Sequence, residues 1–319
     1  MLDTHSLSAV ADQLVLAAYN LHYCNGVYKL RCATCAYTAA HVLKEFRTDE
    51  KMNVDVLGVT SVDDELFVLL GRADNQVAVY SINDYRLLRH LNLPGLEPQL
   101  YNDITSCVQH KCLYMSDNLN CCIHKYDASN TWTATWKWLL GTLVSKLLVP
   151  GKPCGLSVIP VSCNLLVTCQ GESDKLVELC ADSGQCVREI ALWSDVVCPW
   201  HSVQLATGQL VVCHGMTNGL RRVCAVGDDG NVTYSYGGEK GSEVGQLKYP
   251  CHLAVDKDSQ FIFVADWIND RVVLLSPTLE FVRYVIEERS RPYRLHFHQA
   301  TRRLVVGQQR GQGVIVIQL

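Results

Sequence analysis

Two residues beyond four of the prolines stand Gly155 (after Pro153), His201 (after Pro199), His252 (after Pro250) and Arg294 (after Pro292). Two imidazoles and a guanidinium gathered at one place would bind an anion or ligate a metal ion; apart, they are ordinary polar side chains. A second set is basic. Between Arg283 and Arg310 seven arginines (Arg283, Arg289, Arg291, Arg294, Arg302, Arg303, Arg310) stand against two acids, Glu287 and Glu288, with Tyr284, Tyr293 and Phe297 interleaved. Such a face would hold RNA phosphates and stack bases, although alternation along strands would divide the arginines between two sides. A third is Cys32-Ala33-Thr34-Cys35, a lone C-x-x-C with no second pair, where redox or metal chemistry would need a partner motif. His110, Cys112, Cys121, Cys122 and His124 crowd together without a recognised ligand spacing, and no Ser/His/Asp set or phosphate loop is evident. The expectation is therefore no catalytic residue, no metal and no cofactor.

The elements that must position these residues repeat. Pro153, Pro199, Pro250 and Pro292 each open an apolar run, recurring at 42 to 51 residues, followed by a polar turn, a Val-rich run and a further β-rich stretch. In the first three a fourth run follows a turn such as Asp182-Ser183-Gly184 or Asp228-Asp229-Gly230. The first half keeps the same beat with weaker punctuation. Runs within 54–93 make one unit, 102–140 another, and Leu7–Val10, Gln13–Ala18, Gly26–Cys32 and His41–Phe46 a shorter first one. Seven units fit in sequence, at about 5–48, 54–93, 102–140, 152–193, 198–236, 249–286 and 291–319.

A four-stranded antiparallel unit cannot bury both its faces alone, and radial stacking covers each twisted sheet with its neighbours. The expectation is an all-β protein, a single β-propeller over residues 1–319 with seven blades favoured and six as the alternative. No N-terminal strand is evident to close the ring, so the last unit ends after three strands or lacks an upstream piece. Residues 141–149 have no place in the scheme, and Trp132, Trp136 and Trp138 read as outer-strand packing.

Composition sets bounds on function. The 319 residues are 48% hydrophobic and 19% charged, which excludes a disordered chain, and a formal charge of −4 argues against a globally basic DNA binder. Sixteen cysteines are spread through apolar runs such as Leu210-Val211-Val212-Cys213, the usage of a small buried hydrophobe. No basic leader precedes an apolar segment, and no apolar run reaches membrane-spanning length. A cytoplasmic protein without a membrane partner is expected, and the Asn231-Val232-Thr233 sequon carries no weight.

Val264-Ala265-Asp266-Trp267-Ile268-Asn269-Asp270-Arg271-Val272 resembles the V-A-D-x-x-N-x-R-[IV] hairpin of NHL repeats. Gly237 to Pro250 is similar to that family's Gly-rich lead-in, and Leu253-Ala254-Val255-Asp256 to its first strand. The resemblance implies that Asp266, Asn269 and Arg271 are structural, with Arg271 bridging to Asp266. Asp117 and Asn120 echo the motif, with Cys122 where the arginine would be. The resemblance further implies a surface for protein or RNA partners. Zinc-dependent lyases among the relatives place metal histidines directly after the proline; Cys154, Trp200, Cys251 and Tyr293 hold that slot here. RING and B-box modules often accompany NHL propellers, and neither motif is in this chain. The favoured function is non-enzymatic binding of a protein through propeller loops, with Trp200, His201, His252, Tyr293 and Arg294 as contacts at the channel mouth. The alternatives are RNA binding through the arginines and a hydrolase or lyase using the channel histidines.

Overall fold

Leu66, Val68 and Leu70 point to one side of their strand and Phe67 and Leu69 to the other, and all five are at most 1% exposed. A strand buried on both sides reads as a continuous apolar run rather than an alternation, which is why these segments lack a polar face. In a computed structural model of the chain, residues 19–24, 27–32, 40–48, 54–71, 76–92, 102–127, 151–215, 219–287, 291–310 and 313–319 are described.

Strands β1 (Tyr19–Cys24) and β2 (Val27–Cys32) pair as an isolated hairpin, and β3 (His41–Phe46) follows. The next sheet is β4 (Val56–Val62), β5 (Glu65–Leu70), β6 (Gln76–Ser81) and β7 (Leu87–Asn92), paired in that order. A sheet of β8 (Ile104–Cys107), β9 (Cys112–Asp117) and β10 (Cys122–Asp127) comes second. The third holds β11 (Lys152–Val158), β12 (Leu165–Gln170), β13 (Lys175–Leu179) and β14 (Cys186–Ala191). The fourth holds β15 (Pro199–Gln204), β16 (Leu210–His214), β17 (Leu220–Val226) and β18 (Val232–Glu239). The fifth holds β19 (Pro250–Val255), β20 (Ile262–Asp266), β21 (Arg271–Leu275) and β22 (Phe281–Ile286). The last is built from β23 (Pro292–His298), β24 (Arg303–Gln308) and β25 (Val314–Gln318), with β3 as its fourth strand.

These sheets are the six blades of an all-β propeller, so the count of seven gives way to the alternative of six. The reason is β3. His41–Phe46 does not complete a blade of its own; it pairs antiparallel with β25, from Val314↔Phe46 to Gln318↔His41. An N-terminal strand therefore does close the ring, satisfying the edge that β25 would otherwise expose. Residues 1–18, 33–39 and 128–150 lie outside the described residues, and with them Cys35, the three tryptophans and the 141–149 segment.

Five apolar clusters fill the gaps between successive blades. Leu66, Val68 and Leu70 pack against Val305, Val314 and Val316 of the last blade, while Phe67 and Leu69 pack against Leu113 and Met115 of the second. Blade five divides the same way, with Ile262 and Val264 facing blade four and Phe263 and Ala265 facing blade six. Cys107, Cys112, Cys169, Cys213, Cys224 and Cys251 sit in these interfaces at 0 to 2% exposure, as small apolar fillers. Among the described residues no helix is long and apolar enough to cross a membrane.

The innermost strands β4, β8, β11, β15, β19 and β23 stand side by side around the axis. In blades one, three, four and five the first and third hairpins lie on one face of the disc and the second hairpin on the other, and the first hairpins of blades two and six share the face of the former.

Candidate functional site at the propeller axis

Five innermost strands share one irregularity. The register slips at Val56/Gly58, Pro153/Gly155, Pro199/His201, Pro250/His252 and Pro292/Arg294. A bulge of this kind re-aims the next side chain. The residue inside the bulge (Leu57, Cys154, Trp200, Cys251 or Tyr293) is buried at 1 to 6% exposure. The residue after it turns to the axis. Blade two supplies Asp103 at the matching position, where the Ser116 N–H donates to Asp103 O at 3.0 Å.

Asp103 organises what gathers there. Its Oδ1 accepts from Ile104 N at 2.9 Å and lies 3.4 Å from Arg294 Nε. Its Oδ2 accepts from Leu156 N at 2.9 Å and lies 3.5 Å from His252 Nε2 and 3.7 Å from His201 Nε2. His201 Nε2 lies 3.0 Å from Leu156 O, and Leu295 N donates to His252 Nδ1 at 3.3 Å. The two imidazole centroids are 3.8 Å apart. Arg294 donates to Leu57 O at 2.7 Å, Tyr293 O at 3.2 Å and Asn102 O at 3.3 Å, and its guanidinium lies 4.1 Å from the Tyr293 ring centroid. Gly155 makes this approach feasible, because a Cβ there would meet the His201 Cα at 2.8 Å.

The electrostatics follow from burial. Desolvation alone would raise the Asp103 pKa, but His252, Arg294 and His201 hold its carboxyl well below the usual carboxylate range. Burial pushes His201 down to about 3 and lowers His252, in both cases against the pull of Asp103. Two neutral imidazoles thus sit on a neutralised Asp103–Arg294 pair. One carboxylate oxygen and two imidazole nitrogens lie within 4.8 Å of one another, a donor set that fits a metal ion, with the Arg294 charge alongside opposing one.

Above this plug, a cavity of 670 Å³ opens on the face of the first hairpins. Its wall includes Thr60, Ser61, Ser106, Ser157, His296 and Phe297. Ser61 Oγ lies 2.7 Å from His296 Nε2, and Thr60 Oγ1 lies 2.7 Å from Ser106 Oγ. Burial pushes His296 down to about 3, helped by His298 and Lys257.

His201, His252 and Arg294 therefore meet at the axis, together with Gly155. Trp200 and Tyr293 are buried between blades, Trp200 beside Tyr249 and Tyr293 beside Trp267. The arginines disperse. Arg291 precedes β23 and lies 3.9 Å from Asp270 on one face. Arg302 follows β23 and lies 3.3 Å from Asp256 on the other, beside Arg303, which donates to Tyr85 Oη at 3.0 Å. Arg294 is in the plug, Arg283 is half-buried on outer strand β22, and Arg289 lies outside the described residues. Asp103 is the site residue that sequence reasoning missed. Tyr101 stands where blades three to six carry proline, and the surviving signal was the echo of Asp266 in Asp117, which fixes the register of that blade.

The NHL-like hairpin is a tie between two segments. Asp266 Oδ1 accepts from Lys248 N and Tyr249 N, each at 2.9 Å, while Oδ2 accepts from Asn269 Nδ2 at 2.6 Å and Arg271 Nε at 3.0 Å. Arg271 also donates to Ser242 O at 2.6 Å and Gln246 O at 2.7 Å. Asp270 takes the left-handed conformation the turn needs, at φ 52°.

No protein-family model matches the chain, and no curated protein matches it. Solved structures do match. A Bacteroides thetaiotaomicron protein of unknown function superposes at TM-score 0.63 and 12% identity, covering 88% of this chain and 75% of that one. Catalytically inactive virginiamycin B lyase from Staphylococcus aureus, a histidine-to-alanine variant with quinupristin, gives 0.58 and 11% over 88% and 100%. The Cps50 (Swd1) propeller domain of Myceliophteria thermophila gives 0.54 and 11% over 86% and 100%. At these identities the likeness is one of fold, shared by proteins of different activity.

Proposed function

We propose that the chain is an NHL-type, non-enzymatic scaffold of the cytoplasm that binds a protein partner on the face bearing the axial cavity. The observation that carries this reading is the pairing of that cavity with apolar residues on two adjacent hairpins. Val108 is 56% exposed and Val161 85% exposed, and Gln109 Oε1 accepts from Cys163 Sγ at 2.9 Å between the same two hairpins. Exposed apolar residues beside a concavity are the usual mark of a docking surface. His201 and His252 line its floor, His201 set by its Nε2 on Leu156 O and His252 by its Nδ1 on Leu295 N, while His201 Nδ1 has no partner among the described residues. The test is affinity purification with the full chain, followed by titration of the captured partner in purified form. Val108→Glu with Val161→Glu abolishes binding if the reading holds, while Ile268→Glu on the opposite face leaves it intact. Equal binding by both variants would move the partner elsewhere. Binding carried by RNA instead would fall steeply with salt, and among the described residues no one face gathers the arginines that it would use.

One observation favours a second reading, a propeller hydrolase or lyase. The convergence of Asp103, His201 and His252 beneath a cavity is the arrangement such chemistry would use. A turnover lost in His252→Ala would establish it.

A further inference from the structure

The second hairpin of blade two holds another buried cluster, off the axis. Asp117 ends β9 and pairs across the ladder with Cys122, the first residue of β10. His124, two residues on, projects from the same side of that strand. Asp117, Cys122 and His124 are each at most 1% exposed. Asp117 Oδ2 lies 3.2 Å from His124 Nε2, and Cys122 Sγ lies 3.5 Å from the same nitrogen. One donor atom of each residue lies within 4.8 Å of the other two.

The same ladder positions in blade five are Asp266 and Arg271. There the guanidinium balances the carboxylate; in blade two a thiol has taken its place. The spacing is informative. With zinc bonds of about 2.0 Å to nitrogen and oxygen and about 2.3 Å to sulfur, tetrahedral geometry sets adjacent donors about 3.3 Å (N to O) and about 3.6 Å (N to S) apart. The observed 3.2 and 3.5 Å match both edges.

We propose that Asp117, Cys122 and His124 bind one divalent transition-metal ion of the zinc class. Carboxylate, thiolate and neutral imidazole cancel the two charges of the ion, so the buried complex is neutral. On binding, the Cys122 S–H bond breaks heterolytically, a metal–sulfur bond forms and the proton leaves to solvent, with no change in oxidation state. The fourth position is taken by water. Asn120 is a positioning residue: its N–H donates to Asp117 Oδ1 at 3.0 Å and its Nδ2 to Oδ2 at 2.9 Å, fixing the carboxylate. The turn above the cluster reaches solvent at Leu119, 57% exposed, which gives an ion a short path in.

The site is independent of the scaffold reading, and its test uses cobalt(II) and zinc(II) with the full chain. Cobalt is expected to bind at one equivalent with a thiolate-to-cobalt charge-transfer band in the near ultraviolet, more tightly as pH rises. Cys122→Ser removes the band and His124→Asn weakens binding, each checked for folding by circular dichroism. Asn120→Ala costs about 10- to 100-fold in affinity, and Cys180→Ser, at a partly exposed thiol outside the cluster, leaves the band unchanged. The proposal is overturned if the folded chain takes up neither ion, if cobalt binds without the thiolate band, or if the band depends on Cys180 rather than Cys122.

Discussion

Arg294 Nε lies 3.4 Å from Asp103 Oδ1 at the propeller axis, with both side chains no more than 2% exposed. This pair joins blade six to blade two, and through Leu57 O and Leu156 N it also engages blades one and three. Removing one member leaves a buried charge without its partner. Arg294→Met is expected to cost about 3–5 kcal/mol in urea unfolding. Combining it with Asp103→Asn recovers part of that loss, since neither charge is then stranded. Additive losses in the double variant would show that the pair is not coupled.

Arg271 and Asp266 make the corresponding tie at the rim of blade five. Arg271→Ala is expected to destabilise by about 3 kcal/mol and to expose residues 240–249 to protease. Arg271→Lys restores less than half, because an ammonium cannot reach Asp266, Ser242 O and Gln246 O together in the guanidinium geometry. Full recovery by lysine would reduce the role of Arg271 to its charge.

Acid should unfold the propeller through its buried histidines. Burial depresses His201 to about 3, His214 to about 4 and His296 to about 3. Between the unfolded-state value of about 6.5 and these folded-state values, the unfolded chain takes up protons that the folded one refuses. Stability is therefore full above about pH 6.5 and falls as pH drops toward 3, with a limit of about 1.4 kcal/mol per pH unit for each histidine. The melting temperature measured from pH 7 to pH 4 follows this slope. His296→Asn should flatten it, and an unchanged slope would clear His296 of the effect.

Ring closure rests on β3. A chain lacking residues 1–48 leaves β25 as an open edge, and it should melt lower and associate at high concentration. Thermal unfolding and size-exclusion chromatography read both effects. Unchanged behaviour of the truncated chain would make the β3–β25 ladder dispensable.

What could be read from the residues was local. The proline-led units of blades three to six were legible because a strand buried on both sides announces itself within a few residues, and the turns after it carry Gly184 and Gly230 at positive φ. The structural role of Asp266, Asn269 and Arg271 was legible too, since the three fall within one short hairpin and the arginine reaches back to the carboxylate.

The blade count and the axial plug were not. His41–Phe46 has the same strand character whether it completes a first blade or the last one, and only its pairing with Val314–Gln318 decides between them. His201, His252 and Arg294 were visible through the beat of the prolines, whereas Asp103, which gathers them, stands two residues after a tyrosine instead. The sequence by itself determined repeated, doubly buried strands and therefore a ring. Its closure and the neutral cluster at its centre were decided by tertiary structure, because both depend on contacts between residues far apart in the chain, which no local pattern encodes.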